Sequence, residues 1–176
     1  MTFLELAKKR ESCRSYDPTR EVEKEKIDTI LEVARLSPSA CNSQPYHVTV
    51  VSGDGAREIG KACMGMGMNP FMKDAPVMLV IAEREYNKTA AFGAKIKHND
   101  YRSIDIGILA ASITYAAADL DLGTCIVGWF DNKKIGEILS SEVTARLVIA
   151  IGYPKESKPP RDKKRKDKDE LFSEIK

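Results

Sequence analysis

Two continuous apolar runs, PVMLVIAE at 76–83 and ARLVIAIGY at 145–153, most restrict the fold open to this chain. Each has the length of a strand, and neither alternates polar with apolar residues. Both faces of such a strand must be covered, so the runs call for a sheet with packing layers above and below it. The material for those layers is also present. From 23 to 36, Ile27, Ile30, Leu31 and Ala34 recur at i, i+3, i+4 and i+7 and mark one buried helix face, which Pro38 closes. A longer Ala-rich pattern, YRSIDIGILAASITYAAADLDLG at 101–123, reads as a helix with Gly123 as its C-terminal stop. Its Ala and Ser positions permit close helix packing, which suits a helix at the centre of a dimer.

YHVTVV at 46–51 is β-branched and reads as a strand; GDGA then turns into a short helix at about 57–64. TCIVGWF is a further strand candidate, and FLELAKKR a short opening helix broken by RESCRSY. Strands alternating with helices, without internal repeats, point to a layered domain of α/β type. After Tyr153 the composition changes to PKESKPPRDKKRKDKDELFSEIK, in which apolar residues return only at Leu171, Phe172 and Ile175. That tail cannot build its own core and either stays loose or wraps another surface.

At 176 residues the chain suits one domain, and its apolar fraction of 43% with 31% charged residues is that of an ordinary soluble protein. No stretch approaches the roughly 20 apolar residues of a membrane span, and the start lacks a signal-peptide core, so a cytoplasmic location is expected. Cys13, Cys41, Cys63 and Cys125 are scattered and read as reduced thiols. A net charge of +2 gives no global field for polyanions, leaving only the local basic patch of the tail.

Most familiar chemistries are excluded early. There is no G-x-S-x-G elbow, and His47 and His98 are the only histidines, with His47 read as packed or on the surface. C-x-x-C and H-E-x-x-H spacings are missing, so no metal is expected. Asp17, Asp105 and Glu137 are too dispersed to form a carboxylate pair. Gly65 and Gly67 lack the third glycine and the leading strand of a dinucleotide turn; the methionines around them are expected to pack under a loop, and Asn69 could contact a ligand.

RESCRSY is more informative. In an extended stretch Arg10, Ser12 and Arg14 face one side, offering two guanidiniums and a hydroxyl, a set that fits a phosphomonoester or, equally, a solvated charged face. Lys163 and Arg165 in the tail offer further cations. PSACNSQP at 38–45 is a polar run between a helix and a strand. A helix stop and turn account for Pro38, Ser39 and Asn42, but not for Gln44, and a loop that hydrogen-bonds a weakly charged ligand would use these residue types.

The ordered set KKRESCRSY, ILEVARLSPSACNSQPYHVTVV, NPFMKDAPVMLVI, DIGILAASITYAAADLDLGTCIVGWF and IGYP followed by basic residues resembles the FMN-dependent nitroreductase family along almost the whole chain. ARLSPSACNSQPY and DLGTCIVGWF are its specific parts. The resemblance implies an α+β fold, a three-layer sandwich with a mainly antiparallel central sheet flanked by helices. It also implies one FMN-binding domain over 1–176 and an intertwined homodimer, with 154–176 as an arm wrapping the partner and two FMN molecules at the interface. Arg10, Glu11, Ser12 and Arg14 would lie at the FMN phosphate and ribityl chain, Glu11 through its backbone because the family has a basic or aromatic residue there. Pro38, Ser39, Ala40 and Asn42 would approach the flavin from the partner subunit, with Gln44 close by. Asn69 would meet the ring edge, Ile126, Val127 and Gly128 would line the isoalloxazine, and Lys163 with Arg165 would complete the phosphate clamp, Lys164 being able to replace Lys163.

The implied activity is ping-pong hydride transfer from NADH or NADPH through FMN to nitroaromatic, quinone or similar small-molecule acceptors. No catalytic side chain is assigned, because the cofactor carries the chemistry. Reductive dehalogenation and flavin fragmentation share the resembling fold and are the alternatives, with 83–101 as the cover that would separate them. A non-enzymatic binding protein using RDKKRKDK is a third, weakened by Asp162, Asp167 and Asp169 and by the lack of aromatics there; neither nucleic acid nor membrane is expected as a partner. Cys41 and Cys125 are read as packing residues.

Overall fold

The two apolar runs lie side by side at the centre of one sheet. In the computed structural model, which describes residues 1–155 and 163–175, strands β1 (Tyr46–Ser52), β2 (Val77–Glu83), β3 (Gly123–Val127) and β4 (Ala145–Gly152) take the order β1-β2-β4-β3. β2 and β4 are therefore the inner strands. Along β2, Val77, Leu79 and Ile81 turn to one face and Met78 and Val80 to the other; β4 divides in the same way, with Ile149 and Ile151 opposite Val148 and Ala150. Burying one such side chain contributes about 1.5–3 kcal/mol, so a strand buried on both faces collects this stabilisation at nearly every residue.

Helices α2 (Lys24–Arg35) and α5 (Tyr101–Asp119) cover the first face, through Ile27, Ile30 and Ala34 and through Ile106, Leu109, Ala110 and Ile113. Helix α3 (Gly53–Ala62) and, between β3 and β4, helix α6 (Asn132–Ile138) cover the second, through Ala56, Ile59 and Ala62 and through Ile135. Short helices α1 (Phe3–Lys9), α4 (Lys88–Lys97) and α7 (Lys168–Leu171) lie outside these layers. Among the described residues no helix is long and apolar enough to cross a membrane.

All three strand pairings are antiparallel. The layering read from the alternation of strands and helices is present, but the fold is α+β rather than α/β, as the resemblance implied. The alternation could not settle this, because an intervening helix can return the chain to either end of a sheet.

Gly123 corrects a second expectation. The helix ends at Asp119, and Gly123 opens β3, where a Cβ would stand 2.7 Å from the Cβ of Cys13 and 2.8 Å from its sulfur. The glycine is there because the N-terminal segment crosses directly over it. A single bridge from Ser12 to Thr124 fastens that segment to β3 and another, from Tyr16 to Pro154, to the chain just past β4; Tyr16, fully buried, points its hydroxyl at the Cys13 and Ala150 carbonyls, 3.1 and 3.4 Å away. Of the arm expected over 154–176, residues 156–162 lie outside the described residues.

Candidate functional site

Beyond α1 the chain passes into extended backbone at Arg10, and Cys13 donates its N–H to the Thr124 carbonyl at 2.8 Å. Cys13 is turned into the core and Arg14 out to solvent, as a two-residue alternation requires. Arg10, Glu11, Ser12 and Arg14 consequently line one pocket of about 230 Å³, which the tail closes with Lys163, Lys164 and Arg165. Segments about 150 residues apart in sequence thus converge on one basic cleft, with Glu11 as the one carboxylate among its described lining residues.

Within the cleft, Lys163 is held by α1: its ammonium donates to the Ala7 carbonyl at 2.6 Å and to that of Lys8, the unpaired acceptors of the last helical turn. Partial burial, followed by the charges of Arg10 and Arg165, pushes Lys163 below the ordinary lysine range, against the opposing pull of Glu11. Cations that depress one another in this way gain from a bound anion. Lys163 and Lys164 both line the cleft, side by side.

The same strand edge continues into an apolar patch. Ile126 is 43% exposed between buried Cys125 and Val127. Val127 packs its side chain into the core, so its backbone is what it presents outward, and nothing lies within 4 Å of where a Cβ on Gly128 would stand. Trp129 donates its indole N–H to the Gly65 carbonyl at 3.0 Å, joining the end of β3 to the turn that carries Asn69. Asn69 itself adopts the left-handed region, φ 53°, and its amide holds the Cys63 carbonyl at 3.2 Å. Of the three methionines expected to pack here, Met64 packs against the core, but Met66 is 89% and Met68 49% exposed, because the left-handed turn at Met66 directs the chain outward.

The 38–45 loop is a different construction. Ser39 accepts the Gln44 N–H at 3.0 Å, and the Gln44 side chain donates back to the Asn42 carbonyl at 3.0 Å and to its side-chain oxygen at 3.2 Å. Asn87, the N-cap of α4, donates its amide to the Cys41 carbonyl at 2.9 Å and its N–H to the Ser43 hydroxyl at 2.8 Å. Asp105 of α5 accepts the Ala40 N–H at 3.0 Å. Cys41, Asn42 and Gln44 all have left-handed backbone, φ 51°, 51° and 47°. Strain of this kind in three non-glycine residues out of four persists only where the surroundings enforce it, and it clusters at ligand sites. Pro38, Cys41, Asn42 and Gln44 are exposed, and Ser39 and Ala40 half-buried.

Within one chain these parts do not form one site. Arg10, Glu11, Ser12, Arg14, Lys163 and Arg165 come together at the β3 edge, with Ile126, Val127, Gly128 and the Asn69 turn beside them. Pro38, Ser39, Ala40, Asn42 and Gln44 lead into β1 at the opposite edge, three strand spacings or about 14 Å across the sheet. Along α5, exposed Ile104, Gly107 and Ala111 with half-buried Ile108, Ser112 and Tyr115 form an outward stripe of small and apolar residues. No atom lies within 4 Å of a Cβ built on Gly107, which leaves room for another backbone to approach closely.

Sequence reasoning set aside Asp105 and did not mention Asn87. The available signal for Asp105 was a lone acid between Ile104 and Ile106 in an otherwise apolar stretch. Among the described residues no group of three or more His, Cys, Asp or Glu side chains is arranged to hold a metal ion.

A family model described as Nitroreductase family matches residues 7–68 and 64–153. An oxygen-insensitive NADPH nitroreductase of Helicobacter pylori is 25% identical over 195 residues, spanning 93% of this chain and 92% of its own. Two solved structures from Clostridium difficile are each 29% identical. A nitroreductase family protein superposes with a TM-score of 0.80 over 98% of both chains. An FMN-dependent nitroreductase gives 0.72 over 96% of this chain and 94% of its own.

Proposed function

The chain belongs to the nitroreductase family, and we propose that it is an FMN-dependent oxidoreductase that works as a cytoplasmic homodimer. The observation that carries this reading is the cleft formed by Arg10, Ser12, Arg14, Lys164 and Arg165 beside the exposed Ile126, with the strained polar loop held at the far edge of the same sheet. The donor set fits FMN. A dianionic phosphate needs converging cations and a hydroxyl, a flat ring needs an apolar wall, and polar ring edges need amides. The first two stand together in one chain, and the third is complete when the 38–44 loop of a second chain faces them.

When bound, FMN supplies ping-pong hydride chemistry, from NADH or NADPH to nitroaromatic, quinone or similar acceptors. The protein's part is to hold and orient. Arg10, Ser12, Arg14 and Arg165 fix the phosphate, with Lys163 keeping the tail on α1. Ile126 and the backbone of Val127 and Gly128 form one wall, Asn69 meets the ring edge, and Ser39, Ala40, Asn42 and Gln44 approach from the partner, with Pro38 framing the loop. Glu11 contributes through its backbone, since its carboxylate would repel a phosphate. The outward stripe of α5 and the exposed Leu171, Phe172 and Ile175 of the tail are the surfaces a second copy would bury. The relatives named above are nitroreductases, which favours this activity over dehalogenation or flavin fragmentation.

The test is an absorption spectrum of the purified protein, followed by anaerobic NADH and NADPH. Flavin bands that bleach with either nucleotide are expected. A colourless protein that takes up no added FMN would overturn the reading.

A further inference from the structure

The turn Ala40–Asn42 at the tip of the strained loop has no cap of its own, because Ser39 precedes it without a side-chain hydrogen bond to its N–H groups. Its first N–H goes instead to Asp105 Oδ1, 65 residues further on, at 3.0 Å. Asp105 is 2% exposed, and its other oxygen is buried without a hydrogen-bond partner. Both roots of the loop carry polar atoms in the same condition: the Ser37 hydroxyl just before Pro38 and the Tyr46 hydroxyl just after Pro45. Burial and, after it, the charge of Asp105 raise Tyr46 above the ordinary tyrosine range, which places the carboxylate within electrostatic reach of that hydroxyl.

A carboxylate taken fully out of water for a single backbone hydrogen bond is costly unless it fixes something specific. What it fixes here is a turn whose next residues, Cys41 and Asn42, are left-handed and exposed. Asn87 of α4 holds the Cys41 carbonyl and the Ser43 hydroxyl, while the first N–H of the turn, at Ala40, is held from α5, the helix whose outer stripe faces the proposed second subunit.

We propose that Asp105 is a positioning residue for FMN binding: through the Ala40 N–H it holds the 38–44 loop in its strained conformation, so that Ser39 and Asn42 stand ready for the partner subunit's flavin. This rests on the flavin reading above. Without Asp105 the turn would sample relaxed backbone, and the apparent FMN affinity would fall in proportion to the remaining competent fraction.

The test compares the full-length protein with Asp105→Ala and Asp105→Asn. Two readouts are taken: FMN affinity by flavin fluorescence quenching, and hydrogen–deuterium exchange of the 38–45 peptide in the flavin-free protein. Asp105→Ala is expected to weaken FMN about tenfold, the scale of one buried group left unsatisfied. It should also speed exchange in 38–45 while β2 and β4 stay protected. Asp105→Asn keeps an acceptor for Ala40 and should fall between wild type and Asp105→Ala in both readouts. If Asp105→Ala fails to fold, Asp105→Asn alone decides, with exchange faster in 38–45 than in wild type as the supporting result. Unchanged exchange in 38–45 overturns the proposal, as does faster exchange with unchanged FMN affinity. If wild type binds no FMN, the flavin reading fails by itself, and the exchange comparison still decides whether Asp105 holds the loop.

Discussion

The β3 edge assembles its cations from two ends of the chain, a segment fastened by single bridges and a tail held by Lys163 to the end of α1. The β1 edge does the reverse, folding eight consecutive residues into a loop with three left-handed positions and bracing it with Asn87 and the buried Asp105. The first arrangement suits a phosphate, whose charge tolerates donors that settle around it. The second suits a ring edge, where hydrogen bonds must be aimed before the ligand arrives. One edge gathers charge, and the other stores geometry.

Each half can be broken separately. Deleting the chain from Lys155 onward should have the largest effect, because it removes Lys163, Lys164 and Arg165 together with the exposed apolar residues of the tail. Loss of both copurifying flavin and the dimer is expected by absorbance and light scattering, and a truncated protein that stays dimeric and yellow would contradict the wrapping arm. Next comes Arg10→Ala, which should weaken FMN by about 1.5–3 kcal/mol, the scale of a charge-assisted hydrogen bond. A fluorescence titration with unchanged affinity would refute its place at the phosphate.

Gly123→Ala tests the seat of the N-terminal segment. With 2.7 Å between the new Cβ and Cys13, the segment must shift, at a cost of about 1–3 kcal/mol in urea unfolding and with weaker FMN binding. Full retention of both would mean that the crossing is looser than it stands. At the other edge Ser39→Ala removes the acceptor of the Gln44 N–H and should lower FMN affinity by about 1 kcal/mol. The smallest effect belongs to Cys41→Gly: relief of the left-handed strain outweighs the glycine entropy cost only slightly, and a gain of about 0.5 kcal/mol in apo stability is expected. A loss instead would show that the Cys41 side chain contributes more than its backbone strain costs.

The layers were legible because burial leaves a period in the sequence: β2 and β4 as unbroken apolar runs, α2 as a helical repeat. Strand direction leaves none, since antiparallel and parallel inner strands need the same side chains. Gly123 was misread because a glycine after a helix and a glycine under a crossing chain look alike. The convergence of Arg10, Ser12 and Arg14 on one cleft could be read, since they alternate in one short segment. The loop was recognised by composition, yet two of its three left-handed residues were hidden, because Cys41 and Gln44, unlike Asn42, carry no propensity for that region. Asp105 escaped because its partner is a backbone N–H on a distant segment, a contact that exists only after α5 has packed behind the loop.

The central claim, that one flavin site takes its phosphate half from one chain and its loop from another, is tested most directly by mixing variants. Chains carrying Arg10→Ala with Arg14→Ala are unfolded and refolded together with chains carrying Ser39→Ala with Asn42→Ala, and FMN is titrated into the isolated mixed dimer. Sharing across the interface predicts one site of wild-type affinity per mixed dimer, although each variant alone has none. A mixed dimer with two weakened sites and no tight one would place both halves on the same chain and contradict the account.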